Sequence, residues 1–205
     1  MPVSLDVRDL LVASWELEEE QARKLLSGLV PAAVDGRHLV SIVSLGRVRG
    51  RVGKLPLPPF SQINVRGYAL HQGAPAVVFL RSWVTAPGVV VALAGVPVGI
   101  ARIRAARGRL EAPGVGVRIH YEPGRRVEAG PLGRHELGLF HRGSWRSFAV
   151  RRGPADWQAA EPEGEIRADP LLSLGLEPRS QPSLLYAHAA TFEILERPRR
   201  VDSSR

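Results

Sequence analysis

Short β-prone runs, separated by turn residues at fairly even spacing, constrain the fold of this chain more than any other sequence feature. The runs cover residues 39–48, 63–71, 76–85, 100–107, 115–121, 136–141, 144–151 and 184–196. Proline-glycine steps and single glycines stand between them, and such residues are typical of turns. Many short strands without alternating helices favour a barrel or sandwich over βαβ units. The sequence therefore predicts a mainly β fold, of the β-rich α+β class.

Two short helices are predicted beside the strands. Residues 18–27 place apolar side chains at helical spacing, with three glutamates in the first turn and two basic residues near the end, which suits the helix dipole. Gly28 is predicted to end this helix. Residues 169–174 are predicted to form the second helix, with Asp169 as its N-cap and a proline at the first helical position.

The length of 205 residues fits one domain. We predict a single β-barrel-like domain over residues 1–197, followed by a basic, frayed tail over 198–205. The acidic segment 156–167, which contains proline and glycine, is predicted to be a surface connection. The sequence leaves the oligomeric state open, including a homo-oligomer.

Several classes of protein are excluded by what the sequence lacks. No apolar run reaches the ~18 residues of a membrane span, since the longest, 89–100, is interrupted by glycine and proline. Residues 1–8 lack the basic region and apolar core of a signal peptide. Without cysteine there is no disulfide, no thiolate metal site and no cysteine nucleophile. We therefore expect a cytoplasmic protein with no membrane partner.

The net charge of +8 raises the question of nucleic-acid binding. Of 28 basic residues only Lys24 and Lys54 are lysines, and this arginine bias is typical of a GC-rich genome. Nucleic-acid-binding modules usually cluster their basic residues, whereas the densest groups here lie among glycines or in the tail. No arginine-aromatic motif of the RNA-recognition type is present. We predict no specific nucleic-acid partner.

A search for catalytic and cofactor motifs gives little. There is no phosphate-binding loop and no nucleophile elbow, and the glycines at 114–116 lack the third glycine of a dinucleotide fingerprint. His135 and Glu136 begin like a zinc-protease motif, but Leu139 stands where the second histidine belongs. The sequence therefore predicts no cofactor and no metal site.

The segment 60–68 is the most informative single stretch. Read as a strand, it points alternate side chains to opposite faces of a sheet. One face then carries a row of polar groups: Gln62, Asn64, Arg66 and Tyr68. Such a row is either a solvated sheet face or the wet wall of a pocket, and the residues alone leave both interpretations open.

Trp83 belongs to the next predicted strand, 76–85. Alternation predicts that it shares a face with Val77, Phe79 and Arg81. This group is either a core aromatic patch or the apolar wall of a ligand cavity with Arg81 at its polar end.

Several segments carry a family resemblance. The stretch 60–68 is similar to a signature of the form Phe-Pro-Glu-Leu-Asn-Val-Arg-Thr-Tyr, with Gln62 in place of the glutamate and Gly67 in place of the threonine. Further matches fall at 11–17, 26–31, 40–45, 95–101, 155–158 and 184–188. On these segments the chain resembles the YqjF-like uncharacterised family of the acetoacetate decarboxylase-like superfamily. The resemblance implies an acetoacetate decarboxylase-like closed β-barrel with a few flanking helices.

The same resemblance bears on chemistry. Acetoacetate decarboxylases proper use a Schiff-base lysine, activated by a neighbouring lysine and an apolar pocket. Their lysine pair follows a Gly-aromatic-Pro step that resembles 95–97, which would put Val98 and Gly99 at the lysine positions. The two lysines of this chain, Lys24 and Lys54, lie elsewhere. The resemblance thus implies no decarboxylation by the lysine mechanism, and it leaves open whether the protein is an enzyme.

These observations combine into a predicted ligand site. We predict a pocket that binds a small organic acid or carbonyl compound, with Arg66 as the anchor through two parallel N–H bonds. Its lining is predicted to comprise Gln62, Asn64, Arg66, Tyr68, Arg81 and Trp83. Two alternatives stay open: a degenerate structural or interaction relative with a filled barrel, and a lyase or hydrolase that uses arginine, tyrosine and histidine.

Overall fold

The computed structural model describes residues 3–88, 96–128, 130, 137–177 and 180–201. The strands are β1 (Val3–Leu17), β2 (Val30–Pro31), β3 (His38–Val52), β4 (Leu55–His71), β5 (Ala74–Val84), β6 (Gly99–Ile100), β7 (Arg104–Ala106), β8 (Arg109–Ala112), β9 (Val117–Arg126), β10 (Leu137–His141), β11 (Trp145–Arg152), β12 (Trp157–Pro162), β13 (Arg167–Ala168), β14 (Ser183–Ile194) and β15 (Arg199–Arg200). The helices are α1 (Glu19–Leu25), α2 (Asp169–Leu172) and a 3-10 turn at Pro113–Val115. The prediction of a mainly β fold is confirmed.

Seven of these strands form a hydrogen-bonded ring in the order β1, β3, β4, β5, β10, β11, β14. Neighbouring strands are antiparallel except β5 and β10, which run parallel. The ring closes because β11 pairs with β14 as well as with β10, and β14 pairs with β1. A closed ring leaves these strands no free edges along their paired lengths.

The hairpin formed by β10 and β11 closes this ring through short pairings. Three residues of β10, from Gly138 to Phe140, pair with β5. On the other side, three residues of β11, from Val150 to Arg152, pair with β14. By contrast, β1 pairs with β3 along its whole length, from Val3 to Leu17.

The remaining strands form a wing outside the ring. The wing continues the sheet from β14 through β12, β9 and β8 to β7. Leu110 of β8 and Ile119 of β9 are buried against Leu11 and Ile63 of the ring strands. The wing therefore covers one part of the ring's outer face.

Both faces of the ring strands are buried, and each face has its own core. The inner cluster consists of Val7, Leu10, Val12, Val43, Leu45, Val48, Phe60, Val84, Trp157, Ala187 and Ala190. The outer cluster includes Leu11, Ala13, Trp15, Val40, Ile42, Ile63 and Val65, with residues of the wing and of both helices. Because the wing and the helices pack on the outer cluster, the inner cluster marks the interior of the ring.

Helix α1 lies inside the predicted range 18–27. The backbone N–H of Glu18 donates to Gln21 Oε1 at 3.1 Å, which satisfies one donor at the helix start. Gly28 follows the helix with a positive φ of 84°, as predicted for a residue that ends it. None of the helices in the described ranges has the length and apolar character needed to cross a membrane.

Helix α2 differs from its prediction at the first turn. Its N-cap is Ala168, and Asp169 is the first helical residue. The Asp169 carboxylate instead accepts hydrogen bonds from Arg167, whose Nε lies 2.9 Å from both carboxylate oxygens. The Asp169 carboxylate, which was expected to cap the helix, is thus hydrogen-bonded to the Arg167 guanidinium.

Two further predictions concern segments near the C-terminus. The segment 156–167 was predicted to be a surface connection, and this is wrong for Trp157–Pro162, which form β12 between β9 and β14. Although acidic residues and prolines are frequent in this segment, it contains a strand, and the tryptophan of that strand is only 5 % exposed. In the tail, Arg199 and Arg200 pair with β11, whereas residues 202–205 lie outside the described residues. His135 and Glu136 also lie outside them.

Candidate functional site

The polar side chains of β4 lie on the inner face of the ring. Directly paired residues of neighbouring antiparallel strands project to the same face. Asn64 pairs with Val43 and Gln62 with Leu45, and both apolar partners belong to the inner cluster. Asn64 is completely buried and Gln62 is 8 % exposed. The interpretation of this row as a solvated sheet face is therefore wrong.

Hydrogen bonds link some side chains of this polar row, and one amide donor, on Asn64, has no partner among the described residues. Gln62 Nε2 donates to Asn64 Oδ1 at 2.8 Å. Asn64 Nδ2 is buried and has no hydrogen-bond partner among the described residues. At the other end of the row, the Tyr68 hydroxyl lies 2.8 Å from Ser41 Oγ, which lies 2.7 Å from Ser14 Oγ.

Arg66 is a half-buried cation without a described counter-charge. Its guanidinium carbon lies 5.0 Å from the centroid of the Phe79 ring, and its Nε is buried without a hydrogen-bond partner. No ion pair joins it to a carboxylate of the described residues. Glu111 pairs with His120, and Glu193 pairs with Arg151. An aromatic face stabilises such a cation only in part.

Burial lowers the pKa of the Arg66 guanidinium from 12.5 to about 10. The nearby Tyr68 hydroxyl opposes this effect, and the positive charge of Arg152 adds to it. Arginine remains protonated in proteins at neutral pH. The site therefore holds a full positive charge at a position where water solvates it poorly.

A β-bulge in β5 separates the predicted site residues into two groups. Val65 pairs with Arg81, but the next residue of β4, Arg66, pairs with Phe79. Leu80 is the extra residue on β5, and an extra residue reverses the faces of all side chains beyond it. The prediction that Phe79 and Arg81 share a face is therefore wrong.

The bulge sends Arg81 and Trp83 to the outer face. Arg81 is exposed, with Nη2 at 3.5 Å from the Ser173 carbonyl oxygen, and Trp83 packs against the outer cluster. Ser82 takes the inner position opposite Asn64 and is 6 % exposed. Alternation along β5 could not identify Ser82, because the bulge leaves no mark in the sequence.

An aromatic row continues the inner face from Arg66. Phe79 pairs with Phe140 on β10, which pairs with Arg146 on β11. Phe148 of β11 stacks on Phe79 with ring centroids 5.7 Å apart. The missing side chain of Gly138 makes this contact possible, since a Cβ there would lie 2.5 Å from the Phe148 ring.

Arg152 and Trp157 lie on the same inner face and were not predicted as site residues. Arg152 pairs with Phe192, whose side chain packs on the inner cluster, and Trp157 belongs to that cluster. The Arg152 guanidinium carbon lies 4.9 Å from the centroid of the Trp157 indole. Burial lowers the pKa of Arg152, and Trp157 Nε1 is buried without a hydrogen-bond partner.

A cavity of about 260 Å³ opens beside the bulge. Its wall includes Phe79, Ser82 and Phe140, together with Arg81 and Trp145. Of the six residues predicted to line a pocket, only Arg81 contributes to this cavity. Phe79 is the side chain that the cavity shares with the Arg66 environment.

The positions that resemble the decarboxylase lysine pair hold no amine. Val98 packs on the inner cluster, and Gly99 pairs with Trp83. Lys24 on α1 and Lys54 at the β3–β4 turn are both exposed. Among the described residues, no group of three histidine or acidic side chains is arranged to hold a metal ion.

Comparisons with known proteins agree with this architecture. The model of a family described as an uncharacterized conserved protein, DUF2071, matches residues 4–189. No curated protein sequence matches the chain.

Three solved structures illustrate the similarity in fold. An acetoacetate decarboxylase-like enzyme from Sphingomonas wittichii RW1 has a TM-score of 0.70 at 16 % identity, covering 99 % of this chain and 94 % of that chain. The enduracididine biosynthesis enzyme MppR, complexed with pyruvate, has a TM-score of 0.69 at 14 % identity, covering 100 % and 92 %. Acetoacetate decarboxylase from Legionella pneumophila subsp. pneumophila str. Philadelphia 1 has a TM-score of 0.72 at 8 % identity, covering 98 % and 87 %. At such identities the likeness establishes the fold alone.

Proposed function

The chain belongs to the DUF2071 family of uncharacterized conserved proteins, and we propose that it binds a small organic carboxylate or carbonyl compound inside the ring. Arg66 is the anchor of this site, and no lysine takes part in it. We also propose that the chain is a YqjF-like member of this family and that the protein is cytoplasmic.

The observation that carries the proposal is the set of unpartnered donors beside Arg66. Asn64 Nδ2 and Arg66 Nε are both buried, and neither has a partner among the described residues. A buried donor without an acceptor costs about 1–3 kcal/mol, and a buried charge without a partner costs more. A carboxylate supplies two acceptor oxygens and one negative charge, so one ligand satisfies both groups.

The fold supports this assignment. MppR, which has the same architecture, is described in complex with pyruvate, a small carboxylate with a carbonyl group. The cavity beside the bulge shares Phe79 with the Arg66 environment, but its wall includes neither Asn64 nor Arg66.

A rival function rests on a different observation. Val98 and the aromatic side chains of Phe79, Phe140 and Phe148 fill much of the inner face, as expected for a structural or interaction relative with no ligand. That rival leaves the donors of Asn64 and Arg66 without acceptors. Ligand binding accounts for them, and we therefore favour it.

Thermal unfolding in the presence of small carboxylates tests the proposal. Acetate and pyruvate should raise the melting temperature of the native protein in a saturable way, because a ligand that binds only the folded state stabilises it by mass action. Arg66→Met should abolish the shift, since it keeps apolar bulk and removes the charge. Arg49→Met, an exposed position on the neighbouring strand, removes the same charge and should leave the shift intact. An equal shift in Arg66→Met and the native protein would contradict the proposal.

A further inference from the structure

A second group of donors lies on the inner face, on strands other than β4. Arg152 stands at the end of β11, where the ring closes against β14, and Trp157 begins β12. The indole N–H of Trp157 is a buried donor without a partner among the described residues, and the Arg152 guanidinium carbon lies 4.9 Å from the centroid of that indole. The stacked pair thus repeats the pattern of Arg66 and Asn64: a guanidinium beside an unpartnered neutral donor.

The two donor groups share one electrostatic environment. Burial lowers the pKa of both guanidinium groups, and the charge of Arg152 lowers that of Arg66 further. Two cations held on one inner face repel each other unless negative charge lies between them. No ion pair joins either guanidinium to a carboxylate of the described residues, and Glu193, on the closing strand pair, instead accepts a hydrogen bond from Arg151 at 3.2 Å.

We propose that the ligand is a small dicarboxylate, with one carboxylate held by Arg66 and Asn64 and the other by Arg152 and Trp157. This inference rests on the proposed function and narrows its ligand class. Two separate donor groups, on β4 and at the β11–β12 end, favour two separate carboxylates over one compact dianion such as phosphate. Each guanidinium can bind a carboxylate by donating two parallel N–H hydrogen bonds to it.

Matched ligands test the second carboxylate. Succinate and butyrate have the same number of carbon atoms and differ in one terminal carboxylate. By calorimetric titration of the native protein, succinate should bind at least tenfold more tightly than butyrate. Arg152→Met should lower the affinity for succinate to that of butyrate. Arg151→Met, the adjacent outward-facing arginine that is 67 % exposed in its side chain, should leave succinate binding unchanged.

A second, milder variant is needed in case Arg152→Met does not fold. Trp157→Phe keeps an aromatic ring under Arg152 and removes only the N–H donor, so succinate affinity should fall several-fold. If Arg152→Met does not fold and Trp157→Phe binds succinate like the native protein, the inference is wrong.

The remaining outcomes separate the inference from the proposed function. If butyrate and succinate bind equally and both are lost in Arg66→Met, the anion site stands and the dicarboxylate inference fails. If inorganic phosphate binds and succinate does not, a compact dianion is the ligand, and the inference also fails. If no carboxylate binds, the proposed function itself is wrong.

Discussion

Arg66 and Phe79 are register partners on β4 and β5, and the guanidinium carbon of Arg66 lies 5.0 Å from the centroid of the Phe79 ring. The half-buried cation of Arg66 therefore packs on an aromatic face, in a position where an ion pair would be usual. Phe79 is also the residue of β5 directly before the bulge at Leu80. The last inward-facing side chain of β5 before the bulge is thus the one that contacts the Arg66 guanidinium.

A double-mutant cycle measures this relationship. Phe79→Leu, Arg66→Met and the double variant should give a coupling energy of about 0.5–2 kcal/mol, because the cation–π contact exists only when both residues are present. The free energy of unfolding in urea is the measurement. The matched cycle of Phe79 with Arg81, which lies on the opposite face, should give a coupling near zero. Equal coupling in both cycles would contradict the assignment of faces.

Gly138→Ala tests the packing of Phe148 across β10. The new Cβ would lie 2.5 Å from the Phe148 ring, so the ring must move from its stack on Phe79. We expect a loss of about 1–3 kcal/mol in the free energy of unfolding, typical of overpacking. Gly114→Ala is the control, because no atom lies within 4 Å of its Cβ position. If Phe148→Leu does not reduce the effect of Gly138→Ala, another contact is responsible.

The three tyrosines should resist ionisation in the folded protein. Burial raises the pKa of Tyr68, Tyr121 and Tyr186 above the ordinary value of 10.0. The unfolded chain then loses its tyrosine protons first as pH rises, so the folded state loses stability with rising pH. The contribution is fully present below pH 10 and is lost above it, as pH rises through the folded-state pKa values.

Tyrosinate absorbance provides the measurement. At pH 10 the native protein should show little tyrosinate, whereas the urea-unfolded chain should be about half ionised. A native titration that coincides with the unfolded one would show that these hydroxyls are hydrated.

Borohydride trapping tests the absence of amine chemistry. With acetoacetate and borohydride, mass spectrometry should find no adduct, because the only lysines, Lys24 and Lys54, are exposed and outside the ring. An acetoacetate decarboxylase treated in parallel is the positive control. A specific adduct at either lysine would overturn the comparison that puts Val98 and Gly99 at the lysine positions.

Local periodicity in the sequence correctly predicted which side chains of β4 share one face. The inward row of β4 follows from an alternation of period two that runs unbroken from Gln62 to Tyr68. The same rule failed on β5, because Leu80 is an extra residue and no composition signal distinguishes a bulged leucine from a paired one. Arg81 and Trp83 were misplaced for that reason alone.

The second half of the site was beyond sequence reasoning for a different physical cause. Closure of the ring puts Arg152 and Trp157 on the same inner face as Arg66, and closure depends on which strands pair over long separations. The segment of Trp157 also resembles a loop in composition, since proline and glutamate surround its few apolar residues. For these two reasons nothing in the sequence indicated that Arg152 and Trp157 lie on the inner face.

Closure of the ring by the β10–β11 hairpin has a consequence for the proposed ligand. Within the described residues, three residue pairs join the hairpin to its neighbour on each side, whereas β1, β3 and β4 are joined by long pairings. Arg152 lies on the hairpin and Arg66 on β4. A dicarboxylate that bridges these two arginines would therefore add a link between strands at the place where the ring is joined by the fewest residue pairs.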